Sequence, residues 1–146
     1  MIMKHVNILV LIIIWLACLA TKCQRESDKC HKTIAFVNNS PKEVYIHGGW
    51  YPDTLGFNKL FPNPYKQPNL YKVTSNEKNT LGLGRRDCLE SSVTQGIMTV
   101  YVFDAEVLET IPWDSVGKYY MVLKTIRPTI DEMQSNNWTI YYNGEY

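Results

Sequence analysis

Hydrophobic and polar positions alternate along the chain in short runs, and the longest fully apolar run lies near its start. Val6 to Ala20 is apolar except for Asn7. A helix of about fifteen residues spans about 22 Å, which is less than the roughly 30 Å of hydrocarbon in a bilayer. With Lys4 before it and polar residues after it, this run is typical of an export signal. The pattern predicts a signal peptide over residues 1–17, a flexible tether over 18–29 and a single globular domain over 30–146.

Beyond the tether, runs of β-branched and aromatic residues predict a mainly β domain. The strongest run, Ile97 to Phe103, is apolar on both sides, which favours a central strand covered on both faces. It should be the most buried segment of the domain. Ile34 to Ile46 holds two shorter runs around the turn sequence Asn39-Ser40-Pro41-Lys42, which predicts a hairpin. Further strands are predicted at Leu70–Thr74, Arg85–Val93, Tyr119–Ile126 and Asn137–Asn143.

Two short helices are expected among these strands. Pro112 suits the first turn of a helix that ends at Lys118 and turns Trp113 back against the sheet. Thr129 to Glu132 form a capping-box pattern that opens a second helix carrying Met133. Because the strands mostly follow one another in sequence, their pairing should be largely antiparallel. The predicted fold class is therefore a single antiparallel β-sheet or sandwich-like domain with two short helices, at the margin of the α+β class.

The first two cysteines are candidates for lipidation. Trp15-Leu16-Ala17-Cys18 resembles the bacterial lipobox, in which small or apolar residues precede a cysteine that receives diacylglycerol. Cys23 is the alternative. Lys22 before it fits that pattern less well, but the polar, acidic stretch after it resembles the tether of many exported lipoproteins of Bacteroidetes-type bacteria. We expect the lipid to hold the protein at the bacterial outer membrane, facing the periplasm or the surface.

The other two cysteines, Cys30 and Cys88, are candidates for a disulfide. Two cysteines in a small exported domain usually pair in an oxidising compartment. The alternative is a metal site that adds His31 and His47 to the two cysteines. Adjacent Cys30 and His31 lack the spacing of two to four residues that is typical of zinc ligand pairs. The disulfide is therefore favoured, and neither a metal nor another cofactor is expected.

Charge narrows the range of partners. Lys4 is the only charged residue in the first seventeen, so the remaining chain carries 14 basic and 14 acidic residues. Nucleic-acid binders normally show a basic excess or a clustered basic stripe. Nucleic acid is therefore not an expected partner.

Few residues are placed for catalysis. Asp104, Glu106 and Glu109 follow the strongest strand, and paired carboxylates could serve glycoside hydrolysis. His47, which precedes two glycines, could act as a base in a cleft. A plainer interpretation is that the carboxylates mark the end of the strand and that His47 ends another strand.

The segment of residues 50–71 combines four prolines with six aromatic residues. Prolines stiffen a loop and lower the entropy cost of holding aromatic side chains ready for a partner. The alternative is a loop packed over an open sheet edge, with its aromatic rings in a satellite core. The candidate binding residues are Trp50, Tyr51, Phe57, Phe61, Tyr65 and Tyr71.

Two short motifs match the Asp-(Ser/Thr)-apolar pattern at which Bacteroidetes-type bacteria O-glycosylate exported proteins. They are Asp53-Thr54-Leu55 and Asp114-Ser115-Val116, so Thr54 and Ser115 are candidate glycan acceptors. A three-residue pattern also arises by chance, and Asp114 and Ser115 could equally be residues at a helix terminus.

Several of these pieces together resemble a family of small envelope lipoproteins of Bacteroidales-type bacteria that has no assigned activity. They are "CHKTIAFVNNSPKEVYI", "WYPDT", "RRDCLE", "VYVFDAEVLETIPWDSVGKYYMVLK" and "NWTIYY". The resemblance covers most of residues 30–143 and implies an envelope location and the pairing of Cys30 with Cys88.

The function expected from the sequence is a non-catalytic binding or structural module for envelope protein or glycan, attached to the membrane through its lipid. The alternative is a small hydrolase of envelope polymers that uses the three carboxylates or His47. The sequence makes no prediction of oligomeric state.

Overall fold

The structure is a computed structural model that describes residues 26, 27, 29–49 and 63–144. In these residues the chain forms seven strands: β1 (Ala35–Asn38), β2 (Val44–Gly49), β3 (Lys72–Val73), β4 (Glu77–Asn79), β5 (Thr99–Asp104), β6 (Lys124–Ile126) and β7 (Thr139–Tyr142). The α-helices are α1 (Pro68–Tyr71), α2 (Leu89–Ser92), α3 (Ala105–Thr110), α4 (Trp113–Lys118) and α5 (Ile130–Ser135). Short 3-10 turns cover Pro64–Lys66 and Thr94–Gly96.

The mainly β class is confirmed, with two sheets and with more helices than expected. One sheet has three strands in the order β4-β1-β7, and the other has four in the order β3-β2-β5-β6. All pairs in the four-stranded sheet are antiparallel, as predicted. In the three-stranded sheet β1 is antiparallel to β4 but parallel to β7, so that sheet is mixed. Helices α4 and α5 are the two predicted helices. Within the described residues no helix is long and apolar enough to cross a membrane.

The main hydrophobic core lies between the two sheets. Its buried members come from both sheets and from α2 and α5, and include Phe36, Ile46, Val100, Val102, Ile140, Leu89 and Met133. Shared burial of the two inner faces is what makes the arrangement sandwich-like.

Strand β5 is covered on both faces, as its sequence predicted. Val100 and Val102 point into the core between the sheets, whereas Tyr101 and Phe103 point to the opposite face, as alternate residues of a strand must. That second face carries its own buried cluster, to which α3 and α4 contribute Ala105, Leu108 and Val116.

Trp113 packs against this second face, as predicted. Its ring lies edge-on to that of Phe103, with 5.7 Å between the ring centroids. The indole is only partly buried, so it closes the rim of the cluster and does not fill its centre. Pro112 stands just before α4, at the cap position, and not in its first turn.

The predicted hairpin is wrong, because β1 and β2 belong to different sheets. Asn38, which is fully buried, shows why. Its amide nitrogen donates to the carbonyl of Lys42 at 2.8 Å and to those of Val73 and Thr74 at 3.2 and 3.1 Å. These bonds tie the turn to Val73 at the end of β3 and to Thr74 after it, where the chain leaves the four-stranded sheet for β4 of the other sheet. The chain therefore leaves one sheet there and enters the other.

Three predicted strands are wrong in type or length. Arg85–Val93 contains α2 and no strand. Tyr119–Ile126 is extended only over β6, because Tyr120 has a φ of 48°, a left-handed conformation that a strand cannot contain. The predicted strand Leu70–Thr74 is likewise shorter in the structure, where it is β3, and Leu70 lies in α1.

Ile97 is also misplaced by the sequence pattern. It is 43% exposed, whereas Met98 to Phe103 are all buried. Gln95 and Gly96 both have positive φ, at 58° and 70°, so the chain turns sharply just before Ile97. The most buried segment therefore begins at Met98.

Candidate functional site

The predicted disulfide between Cys30 and Cys88 is confirmed, with the two Cα atoms 4.7 Å apart. The two sulfur atoms are bonded to each other, so the alternative metal site that used both cysteines is wrong. Backbone hydrogen bonds run beside the bond: Leu89 N–H donates to the carbonyl of His31, and Arg85 N–H donates to that of Lys32, both at 2.8 Å. The disulfide and these bonds form a seam that joins the start of the domain to α2.

His31 is fixed on this seam by a carboxylate and an indole. Its Nδ1 lies 2.6 Å from Glu90 Oε1, and its backbone N–H donates to Glu90 Oε2 at 3.0 Å. On its other side the imidazole stacks on Trp138, with ring centroids 3.9 Å apart. The sequence pattern does not indicate this arrangement, because Glu90 and Trp138 are far from His31 along the chain.

The pairing of Glu90 with His31 can be tested by the dependence of thermal stability on pH. Burial raises the pKa of Glu90, but hydrogen bonds from His31 and from backbone N–H groups outweigh it and leave that pKa below the ordinary 4.5. The unfolded state then binds more protons in this range, so the stabilisation is present above pH 4.5 and is lost as pH falls through the folded pKa. The thermal midpoint of Glu90→Gln should therefore fall less than that of the wild type on acidification from about pH 7 to about pH 3.

The control for this experiment is Glu77→Gln. Glu77 is an exposed carboxylate on β4, at the outer edge of the three-stranded sheet. We expect it to keep the acid dependence of the wild type. Equal curves for wild type and Glu90→Gln would contradict the pairing with His31.

Asp104 caps α3 and is held by a lysine. Its Oδ1 accepts the backbone N–H of Glu106 at 2.9 Å, and its Oδ2 lies 2.9 Å from Lys42 Nζ. Burial raises its pKa, but the bonds from Lys42 and from backbone N–H groups outweigh this and leave the pKa of Asp104 lowered. Asp104 therefore does mark the end of β5 and the start of the next helix.

Glu109 is held by a second lysine. Lys72 Nζ lies 2.9 Å from Glu109 Oε1 and 2.8 Å from Glu43 Oε2. Tyr45 Oη donates to the same Glu109 oxygen at 3.2 Å. The hydrogen bond from Lys72 is the main reason why the pKa of Glu109 is lowered. Burial, together with the bond to Glu109, raises the pKa of Tyr45 to about 12.

The carboxylates border an open surface cavity of about 300 Å³, lined by Lys42, Glu43, Asp104, Ala105, Glu106, Glu109 and Thr110. A glycosidase of the usual kind needs one carboxyl whose pKa is raised, so that it is protonated and can act as the acid. Asp104 and Glu109 both have lowered pKa values and both hold a lysine. Neither is suited to donate a proton near neutral pH.

The cap at Asp104 gives a matched pair of variants. Asparagine caps a helix about as well as aspartate does, whereas alanine cannot accept the N–H of Glu106. Asp104→Asn should leave the free energy of unfolding nearly unchanged, and Asp104→Ala should lower it by about 1 kcal/mol. Urea unfolding of the two variants measures the difference. Equal loss in both would mean that the charge pair with Lys42 matters and the cap does not.

His47 is buried within β2 and is 8% exposed. Its ring stacks on Tyr71 at a centroid distance of 5.7 Å, and its Nδ1 lies 3.1 Å from the carbonyl of Gly48. Burial is the main reason why the pKa of His47 is lowered. His47 is therefore a packed side chain of the four-stranded sheet. A general base must reach the proton that it abstracts from a substrate, and this buried ring is not placed to do so.

The aromatic segment is described only from Asn63 onward. Tyr65 is 44% exposed and lies edge-on to Tyr45, with centroids 6.2 Å apart. Tyr71 is half-buried against His47. These two rings therefore pack on the outer face of β2, and the binding role of the segment stays a prediction. The other candidates in the segment, Trp50, Tyr51, Phe57, Phe61 and the glycan acceptor Thr54, lie outside the described residues, as do Cys18 and Cys23.

Ser115 lies in the first turn of α4 and is half-buried, and the Val116 that follows it is fully buried. Asp114 before it is exposed. Glycosylation at Ser115 stays a prediction.

A groove that the sequence did not indicate lies between β6 and β7, the outer strands of the two sheets. It measures about 340 Å³, near the lower end of the range for ligand sites, about 300–1,000 Å³. One wall is Ile126–Pro128 and the other is Thr139–Tyr141, while buried Met133 and Ile140 lie at its base.

The chain enters β7 through a strained turn. Asn137 and Trp138 both have positive φ, at 49° and 55°. Their N–H groups donate to the carbonyls of Gln134 and Met133, the bonding pattern of a Schellman cap at the end of α5. Non-glycine residues in this conformation cost of order 1–3 kcal/mol each and persist only where their surroundings hold them. The stack of His31 on Trp138 is part of that support.

Comparison of the chain with family models, with curated proteins and with solved structures finds no match in any of the three. The assignment of function therefore rests on the residues and geometry described above.

Proposed function

We propose that the protein is an envelope-anchored lipoprotein whose domain is a non-catalytic binding or structural module for protein or glycan. The apolar run before Cys18 and the polar tether after it support export and attachment through a lipid, with Cys23 as the alternative site. The Cys30–Cys88 bond fits an oxidising compartment outside the cytoplasm. The resemblance of residues 30–143 to envelope lipoproteins points to the same location.

One observation carries the non-catalytic half of this proposal. Two of the three carboxylates expected to do chemistry are used for structure: Asp104 caps α3 and binds Lys42, and Glu109 binds Lys72 and Tyr45. His47, the other candidate, is packed against Tyr71. A hydrolase built on these residues would have to break the contacts that hold them.

Attachment is tested by replacing one cysteine at a time. Cys18→Ser should abolish labelling by palmitate in cells and release the protein from membranes. Each buried CH₂ of an acyl chain contributes about 0.8 kcal/mol, so that loss of several chains removes the anchor. Cys23→Ser is the matched control and should stay labelled. Labelling that disappears only with Cys23→Ser would move the anchor to Cys23, and labelling retained in the double variant would overturn the lipoprotein assignment.

The non-catalytic assignment has its own test. Hydrolysis of peptidoglycan and of envelope glycans is measured with wild type, Asp104→Asn and Glu109→Gln. We expect no turnover that depends on either carboxylate. A hydrolytic activity that both substitutions destroy, while the thermal midpoint is unchanged, would make the protein an enzyme.

A further inference from the structure

The turn that leads into β7 consists of Asn137 and Trp138, and we call it the β7 turn. Its φ angles of 49° and 55° lie in the left-handed region, which a bulky residue such as tryptophan rarely adopts. Residues in such conformations persist only where their surroundings hold them. The end of α5 holds the β7 turn on one side, because the carbonyl of Met133 accepts the Trp138 N–H at 2.7 Å. The imidazole of His31, stacked on the indole, holds it on the other.

The ring of His31 is oriented by Glu90. Its Nδ1 lies 2.6 Å from Glu90 Oε1, and its plane is within 18° of that of the Trp138 indole. The same carboxylate accepts the backbone N–H of His31 at 3.0 Å, so one charged group fixes both the backbone and the ring of this residue. Glu90 therefore acts on the β7 turn through the His31 ring.

Two carboxylates act on the His31 imidazole. Glu90 belongs to α2 and bonds to the ring directly. Glu26 is exposed, and its carboxylate accepts the Lys32 N–H at 3.0 Å. A hydrogen bond from Thr33 is the main reason why the pKa of Glu26 is lowered, and the charge of His31 is the smallest of the contributions. The third neighbour of the imidazole is an indole, which does not titrate. Glu90 is therefore the acidic group whose protonation acts directly on the stacked ring.

We propose that His31 and Glu90 form an acid-sensitive latch on the β7 turn. With Glu90 charged, its bonds to His31 keep the imidazole stacked and the turn closed. A proton on Glu90 removes the charge that binds the ring, and the strain in the turn then favours its opening. The disulfide and the core between the sheets keep the rest of the domain folded.

Opening of the latch has a consequence for the groove between β6 and β7. Asn136 and Thr139, on either side of the β7 turn, both line that groove. Release of the turn therefore changes one wall of the groove. The inference goes beyond the proposed function, since it depends neither on the envelope location nor on a binding partner.

The latch opens as the pH falls. Burial raises the pKa of Glu90, but hydrogen bonds from His31 and from backbone N–H groups outweigh it and leave that pKa below 4.5. A carboxylate of this kind stabilises the structure above its unfolded pKa, and the stabilisation is lost as pH falls through its folded pKa. The latch should therefore be closed near neutral pH and should open below pH 4.5.

Amide hydrogen exchange of the full-length protein in detergent measures the opening. The N–H groups of Trp138 and Thr139 bond to the carbonyls of Met133 and Asn136 when the turn is closed. Their protection factors, which correct for the intrinsic effect of pH on exchange, report local opening. Between about pH 6 and about pH 3.5 they should fall by about tenfold or more, whereas the protection factors of β5 should change by less than about threefold.

Three variants assign the effect to Glu90. Glu90→Gln keeps an oxygen that accepts the His31 N–H but cannot gain a proton, so protection of its β7 turn should change by less than about threefold over the same range. His31→Phe keeps a ring that can stack on Trp138 but cannot bond to Glu90, and it should also lack the fall. Glu26→Gln is the matched control, because it removes the other carboxylate, and it should show the fall of the wild type.

The outcomes that overturn the inference are distinct. Wild-type protection of the β7 turn that is the same at both pH values would mean that the turn does not depend on a charged Glu90. An equal fall in β5 would mean that acid unfolds the whole domain. A fall that persists in Glu90→Gln, or one that disappears in Glu26→Gln, contradicts the role of Glu90.

Discussion

Phe103→Ala is expected to lower the free energy of unfolding by about 3–5 kcal/mol, the usual cost of removing a buried aromatic side chain. Phe103 has no exposed surface, and it lies on the outer face of β5 between Tyr101 and Trp113. Helices α3 and α4 pack on the same cluster, so loss of the ring should leave a cavity among side chains that are already in contact. The total stability of a domain of this size is about 5–15 kcal/mol, so the variant should be close to unfolding. Urea or thermal unfolding measures the change.

Three further substitutions calibrate that result. Phe103→Leu keeps most of the volume and should cost less than about 1.5 kcal/mol. Tyr119→Ala removes an aromatic ring that is 63% exposed and should change stability by no more than about 0.5 kcal/mol. Trp113→Ala should fall between Phe103→Ala and Tyr119→Ala, because its indole is only partly buried. A loss below about 1 kcal/mol in Phe103→Ala would contradict the tight packing of this face.

Loss of the disulfide is the second large effect. Cys30 and Cys88 are 58 residues apart, and closing a loop of that length contributes about 4 kcal/mol on the chain-entropy model. The double variant Cys30→Ala/Cys88→Ala should therefore unfold at much lower urea concentration than the wild type. Reduction of the wild type by dithiothreitol should reproduce the shift.

The backbone hydrogen bonds of the seam determine how much native structure the protein keeps when the disulfide is lost. The bonds of Leu89 to His31 and of Arg85 to Lys32 do not depend on the sulfur atoms. The double variant should thus keep the native fold at low temperature, with the stacked ring of Trp138 still shielded from fluorescence quenchers. An unchanged unfolding midpoint would show that the unfolded chain is already compact across this loop.

Strand β5 and the capped helix α5 could be predicted because their signals are local. A strand that is apolar at both odd and even positions has two apolar faces, and both must be covered. Val100 to Phe103 is covered by the core on one face and by α3 and α4 on the other. The capping box at α5 involves only Thr129 and Glu132, three residues apart, and both of its hydrogen bonds form. The disulfide followed from the small number of cysteines in the domain.

The failed hairpin shows the limit of local signals. The turn after Asn38 has the composition of a hairpin turn, yet the partners of Asn38 at Val73 and Thr74 come from a distant part of the chain. Sequence alone does not show that a buried amide will be satisfied there. The candidate site had the same limit. The support of His31 by Glu90 and Trp138, and the groove between β6 and β7, exist only once distant segments meet.

The parallel pairing of β1 with β7 also determines when the three-stranded sheet can be completed during folding. Ala35 is in register with Thr139, and Asn39 bonds to Asn143 across a separation of 104 residues. When the chain is synthesised from its N-terminus, β1 emerges about a hundred residues before β7, its parallel neighbour. Contacts of such long range are slow to form. The three-stranded sheet therefore cannot be completed until β7 has been synthesised, so folding of this sheet comes after synthesis of almost all the residues that the structure describes.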